Sequence, residues 1–252
     1  MSAREVAAVI LAAGEGKRMK GDRAKVMYEV RGKALLAHVL DRVDALGIRR
    51  AVVIVGFRRE PVIGLAHERG AATAVQEQQL GTGHAFRQAV PVLGDFRGTV
   101  LVLCGDTPLL TTGTLQRLLD LHRERGASAT VLSADLPDPA GYGRVVRDAE
   151  GDIQKIVEDK DGTPAERALH EINTAIYVFE YPEITEVLGE IRTENRQGEY
   201  YLTDVVSLLR ERGRRVAVLK TDDAREALGV NTAEQLEEAE AAYEALAAEG
   251  RL

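Results

Sequence analysis

A run of small residues followed by cations stands near the start of the chain: Leu11, Ala12, Ala13 and Gly14 lead through Glu15 and Gly16 into Lys17, Arg18 and Met19. Alanine and glycine shield the backbone little, so successive N–H groups in such a loop can cradle phosphate oxygens. The spacing is that of neither common nucleotide loop, because Met19 stands at the third glycine position of GxGxxG and the P-loop interval is absent. Lys17, Arg18, Lys20, Arg23 and Lys25 then place five cations within nine residues, opposed only by Asp22. In a chain of net charge −7 this is a local anion trap, not part of a general basic field. A second stretch, the apolar run 100–104, delivers Gly105, Asp106, Thr107 and Pro108. A carboxylate at a strand end beside a phosphate cradle suits Mg²⁺, which takes few protein oxygens and completes its shell from phosphates and water. A solvated charged loop at 17–25 and an Asx-turn at Asp106 ahead of Pro108 are the competing readings of the same residues.

Both stretches need a scaffold that brings strand ends together. β-branched apolar runs at 6–12, 51–56, 72–76, 99–104 and 129–134 alternate with amphipathic segments, the pattern of a mostly parallel sheet covered by helices on both faces. In such sheets ligands bind beyond the carboxyl ends of the strands, where both loops emerge. Leu35, Leu36, Val39, Leu40, Val43 and Leu46 recur at helical spacing up to Gly47, and further helices are expected at 83–92, 112–125, 183–192, 203–212 and 233–248. From about residue 140 glycines punctuate short strand patterns at 144–147, 153–158 and 174–179, which reads as an inserted β lobe. No repeat or linker separates independent units, so the expectation is one α/β, Rossmann-like domain over 1–252. Its parts are an anion-binding region at about 1–139, an inserted substrate lobe at about 140–231, and a C-terminal helix at 232–252.

Leu11, Ala12, Ala13 and Gly14 with Gly16, Arg18, Met19 and Lys25 resemble the signature of sugar-phosphate nucleotidyltransferases. The stretches 76–85, 141–144, 156–158, 171–174, 197–201 and 229–231 are similar, in order, to motifs of the bacterial N-acetylglucosamine-1-phosphate uridyltransferase domain. The resemblance implies that Leu11, Ala12, Ala13, Gly14 and Lys25 hold a nucleotide, with Gln76, Gly81 and Thr82 around base and ribose and Cys104, Gly105 and Asp106 beside them. A Gln76 amide would offer both a donor and an acceptor to uracil. Gly143, Glu158, Asn173 and Asn231 are implied to hold the sugar, Asp106 and Asn231 to bind Mg²⁺, and Arg18 and Lys25 to act in catalysis. Capping of the last helix is the alternative role for Asn231. None of the five histidines, His84 and His170 included, is assigned a role.

The implied substrates are UTP and N-acetylglucosamine 1-phosphate; a pyrophosphorylase for another sugar 1-phosphate or triphosphate, and a nucleotide-sugar-binding regulator without turnover, are the alternatives. Lys17, Ala24 and Cys104 depart from the family pattern, which has threonine, proline and tyrosine there. The second activity of the bifunctional family, acetyl transfer on a trimeric β-helix, is not expected of these 252 residues. The acidic balance argues against nucleic acid, no apolar run is long enough for a membrane helix, and the single Cys104 cannot form an internal disulfide. A cytoplasmic enzyme with no obligate protein partner is the resulting expectation.

Overall fold

The computed structural model describes residues 5–19 and 21–252. Strand β1 (Val6–Ala12) shows why the chain layers as it does. Its residues Ala7 to Ile10 are all fully buried, and period-2 alternation sends them to opposite faces. Ala7 and Val9 join a core with Phe86, Ala89 and Leu93, whereas Ala8 and Ile10 join one with Leu36, Val39 and Leu40. The result is a sheet between two helical layers.

In chain order the hairpin β2 (Glu29–Val30) and β3 (Lys33–Ala34) precedes α1 (Leu35–Ala45) and β4 (Arg50–Val55). Helix α2 (Arg59–Glu68), β5 (Ala72–Val75), α3 (Thr82–Leu93), β6 (Gly98–Cys104), α4 (Thr112–Arg125) and β7 (Ala129–Asp135) complete the first part. The antiparallel pair β8 (Arg144–Arg147) and β9 (Ile153–Val157) follows, then α5 (Pro164–Arg167) and the long β10 (Glu171–Tyr181). Helices α6 (Glu183–Leu188) and α7 (Asp204–Glu211), β11 (Val216–Lys220) and α8 (Ala233–Ala248) end the chain.

The sheet runs β11-β7-β10-β6-β1-β4-β5, with β8 and β9 branching from β10. β1 is parallel to β4 and β6, β4 to β5, and β11 to β7, while β10 is antiparallel to both its neighbours. Register then fixes the site: Leu11 lies opposite Cys104 on one side and Ile54 on the other, and Val55 lies opposite Val75. The loops after β1, β5 and β6 therefore leave from one edge. After β5 the chain crosses to the other side of β1, so the β1–β6 seam is a topological switch point.

Several boundaries differ from the sequence pattern. Helix α6 stops at Leu188 with Gly189 as its C-cap, short of residue 192, and β10 extends on both sides of 174–179. α2, α5, β11 and the β2–β3 hairpin had no sequence expectation.

Candidate functional site

Two cavities of about 260 Å³ each open at this strand edge, and both are lined by Leu11, Thr82, Cys104 and Asp106. The first also takes in Ala12, Gly14, Lys25, Gln76 and Gly81; the second takes in Arg18, Gly143, Glu158, Asn173 and Asn231. The fold thus gathers nearly all candidate residues from remote segments into one cleft. Ala13 and Gly105 lie behind its lining: Ala13 is buried, and Gly105 N–H donates to the Leu11 carbonyl at 2.9 Å, tying the two loops together. Lys20, one of the five cations, lies outside the described residues, as does the side chain of Lys17. A larger cavity of about 710 Å³ sits near the C-terminal ends of α4 and α7. Its Arg147, Arg210 and Arg214 are already paired with Glu171, Asp148 and Glu183, and Arg215 donates to the Arg125 carbonyl at 2.6 Å, so most of its cations are committed within the protein.

At the junction of the two cavities Lys25 Nζ donates to Asp106 Oδ2 and, at 2.9 Å, to Asn231 Oδ1. The approach is permitted by Gly16, whose φ is +62° and where a Cβ would stand 2.8 Å from Lys25 Cβ. Asn231 reaches the junction because Val230 N–H donates to the Asp106 carbonyl at 2.9 Å. Its amide is oriented by Nδ2 donating to the Gly229 carbonyl at 3.3 Å, which leaves Oδ1 for the ammonium. Asn231 is not the cap of α8: Thr232 takes that place, its hydroxyl accepting from Gln235 N–H at 3.2 Å. Two hard oxygens on one cation position are a donor set that fits a small divalent metal, with phosphate and water as remaining ligands. No group of three or more His, Cys, Asp or Glu among the described residues forms a fuller cage. Beside them, burial pushes the Cys104 thiol up to about 12, so it stays neutral while donating to the Ala175 carbonyl at 3.6 Å.

In the first cavity Gln76 is 3% exposed, and its Nε2 donates to the Gly81 carbonyl at 3.1 Å and meets His84 Nδ1 at 3.0 Å. With His84 Nδ1 as an acceptor both amide hydrogens are committed, and only Oε1 is left for a ligand in place of the expected donor and acceptor. Gly81 adopts φ +105°, and a Cβ there would lie 2.6 Å from the Tyr200 carbonyl, so only glycine fits. Thr82 accepts from Leu202 N–H at 3.0 Å, holding the start of α3 against the segment before α7.

In the second cavity Glu158 Oε1 accepts from the Thr203 hydroxyl at 3.0 Å. Burial raises the Glu158 carboxyl above its usual range, against the lowering effect of that bond, and Asp204, Asp161 and Glu199 add to the rise. Gly143 passes close to it, a Cβ there meeting Glu158 Oε2 at 3.5 Å. Asn173 donates to the Tyr177 hydroxyl at 2.7 Å and accepts from Ala175 N–H at 3.2 Å, within a break in the β10 register where Ala175 has φ +60°. A non-glycine residue in that region stores strain, here beside the cleft. Thr203, Tyr177, Ala175 and Tyr142 also line this cavity and escaped the sequence reading. Of these only Tyr142, between two site glycines, carried a local signal.

Comparison with known proteins bears on the family and the fold. Residues 8–171 match the MobA-like NTP transferase domain. The chain is 49% identical over 236 residues to the bifunctional protein GlmU of Pelotomaculum thermopropionicum, covering 94% of this chain and 51% of that protein. It is 47% identical over 235 residues to the bifunctional protein GlmU of Shouchella clausii, covering 93% and 52%. It therefore spans about half the length of the curated relatives it matches. A solved structure of UDP-glucose pyrophosphorylase complexed with UDP-glucose superposes with a TM-score of 0.77 at 17% identity, over 96% of this chain and 99% of that one, which establishes a shared fold. From its matched domain, its relatives and its fold, the chain belongs to the MobA-like NTP transferase family.

Proposed function

We propose that the protein transfers a uridylyl group from UTP to N-acetylglucosamine 1-phosphate and releases pyrophosphate, with Mg²⁺ as cofactor. The observation that carries this reading is the convergence of Lys25, Asp106 and Asn231 at the junction of two cavities. The motif resemblance assigns the first cavity to nucleotide and the second to sugar. In this reading the loop 11–14 and Gln76 hold UTP, while Gly143, Glu158, Asn173 and Asn231 orient the sugar so that its phosphate oxygen faces the α-phosphorus. A sugar phosphate is anionic at neutral pH and needs no general base, so the task is positioning and charge neutralisation. When bound at Asp106 and Asn231, Mg²⁺ would offset charge on both reacting phosphates. Lys25, released from those two oxygens, meets the α-phosphate, and Arg18 meets the departing pyrophosphate. Leu11 and the neutral Cys104 thiol present an uncharged wall between the cavities, which strengthens the remaining electrostatic contacts.

Asp106→Asn tests the site directly. It is expected to keep the fold and lose most pyrophosphate release, because the charged metal ligand becomes a neutral one. Undiminished turnover in a folded Asp106→Asn protein would contradict the assignment.

A further inference from the structure

Gln76 can read a base by its acceptor alone only if its amide is prevented from turning over, and the two contacts on Nε2 differ in how they prevent it. The Gly81 carbonyl can only accept, so a flipped amide would set two oxygens 3.1 Å apart. That carbonyl also accepts from Ala85 N–H at 3.0 Å as the first bond of α3, so it cannot swing aside without unwinding the helix start. The second hydrogen points at His84 Nδ1, 3.0 Å away, and an imidazole nitrogen accepts only while it carries no proton. The far side of the ring meets Gln88 Nε2 at 3.2 Å, and that amide also donates to the His84 carbonyl at 3.1 Å. A neutral ring has one lone pair for two amides, so one of them must yield. Each amide is tied to a carbonyl, Gln76 to Gly81 and Gln88 to His84, but Gln76 is buried with no water to turn to, whereas the half-buried Gln88 can rotate its amide away from the ring and hydrogen-bond water instead. The lone pair therefore belongs to Nδ1.

We infer that His84 is a positioning residue for base selection: by accepting from Gln76 at Nδ1 it locks the Gln76 amide with only Oε1 toward the first cavity. Among the described residues Gln76 Oε1 accepts no hydrogen bond, and Gln76 lines that cavity. A lone acceptor there pairs with an imide N–H, as uracil offers at N3, and opposes the acceptor N3 of cytosine. The inference rests on the proposed use of UTP and adds the residue that makes Gln76 one-sided. The ring is braced for this role by Tyr200, whose ring centre lies 6.3 Å away at 33°, with the Arg87 guanidinium stacked over Tyr200 at 4.5 Å.

The test compares wild type with Gln76→Ala, His84→Ala, His84→Leu and His84→Asn. The readouts are kcat/KM for UTP and CTP at saturating N-acetylglucosamine 1-phosphate and Mg²⁺, the sugar phosphate KM, and calorimetric binding of UDP and CDP without turnover. His84→Ala and His84→Leu, which offer no acceptor, are expected to narrow the UTP preference about three- to tenfold, mainly through KM for UTP, with the sugar phosphate KM unchanged. His84→Asn, whose Oδ1 can take the place of Nδ1, is expected to recover most of the preference in both turnover and binding. An unchanged UTP:CTP ratio in His84→Ala, an equal loss for both nucleotides, or no recovery in His84→Asn would overturn the role of His84. If Gln76→Ala lost the preference while His84→Ala kept it, the role of His84 alone would fall. Equal use of UTP and CTP by the wild type would remove the uridine reading and the role of His84 together.

Discussion

Lys25 donates to Asp106 and Asn231, and in the proposed reaction it is needed at the α-phosphate instead. One ammonium cannot serve both places, so its release has to accompany substrate and metal binding. Lys25→Ala is accordingly expected to have two opposite effects. Turnover falls by about 2.7–4 kcal/mol, seen in kcat, by analogy with loss of a donor to developing negative charge. Binding of Mn²⁺ without nucleotide, read by electron paramagnetic resonance, strengthens, because the resident cation is gone; weaker metal binding would show that Lys25 does not compete for the position. Lys25 and Asp106 were legible in the sequence because each follows a strand within a compact motif. The pairings Thr203–Glu158 and Tyr177–Asn173 were not, since one needs α7 packed near β9 and the other a break in the β10 register.

Among elements, α4 and α8 match their sequence ranges because each begins on a threonine whose hydroxyl accepts from the third backbone N–H, and α4 ends on the left-handed Gly126. Helix α2 escaped because Pro61, Gly64 and its charged residues blur the apolar period; burial of Val62 and Ala66 against the sheet layer sustains it. The chain departs from the family's proline at Ala24, just before the short turn at 25–27. Ala24 has φ −58° and ψ 137°, within the range proline imposes, and among the described residues no hydrogen bond uses its N–H. Ala24→Pro is therefore expected to stabilise the fold by about 0.4–1 kcal/mol, raising Tm by about 1–4 °C in calorimetry with activity retained. A lower Tm would show that this loop cannot accept the ring.

For the whole molecule, the mixed, mostly parallel sheet was legible in the alternation of apolar runs and helices, but strand order and the placement of antiparallel β10 between β6 and β7 are set by long-range pairing that no local pattern records. Global stability should carry a pH signature from Asp204 at the start of α7. Burial, then the nearby Asp161 charge, raises its carboxyl from 3.8 to about 6. Above pH 6 the ionised group penalises the folded state; between 3.8 and about 6 the folded state keeps a proton that the unfolded chain has released, so stability rises as pH falls through that window. Asp204→Asn is expected to stabilise by about 1–3 kcal/mol at pH 8, after allowance for partial exposure, and by little near pH 4. An equal gain in denaturant melts at both pH values would refute this. The central claim is tested most directly by pyrophosphate release from a matrix of UTP, CTP, ATP and GTP against N-acetylglucosamine, glucosamine and glucose 1-phosphates, with Mg²⁺ and with chelator. The predicted result is the highest kcat/KM for UTP with N-acetylglucosamine 1-phosphate, abolished by chelation; a higher value for any other pair, or release that survives chelation, would contradict it.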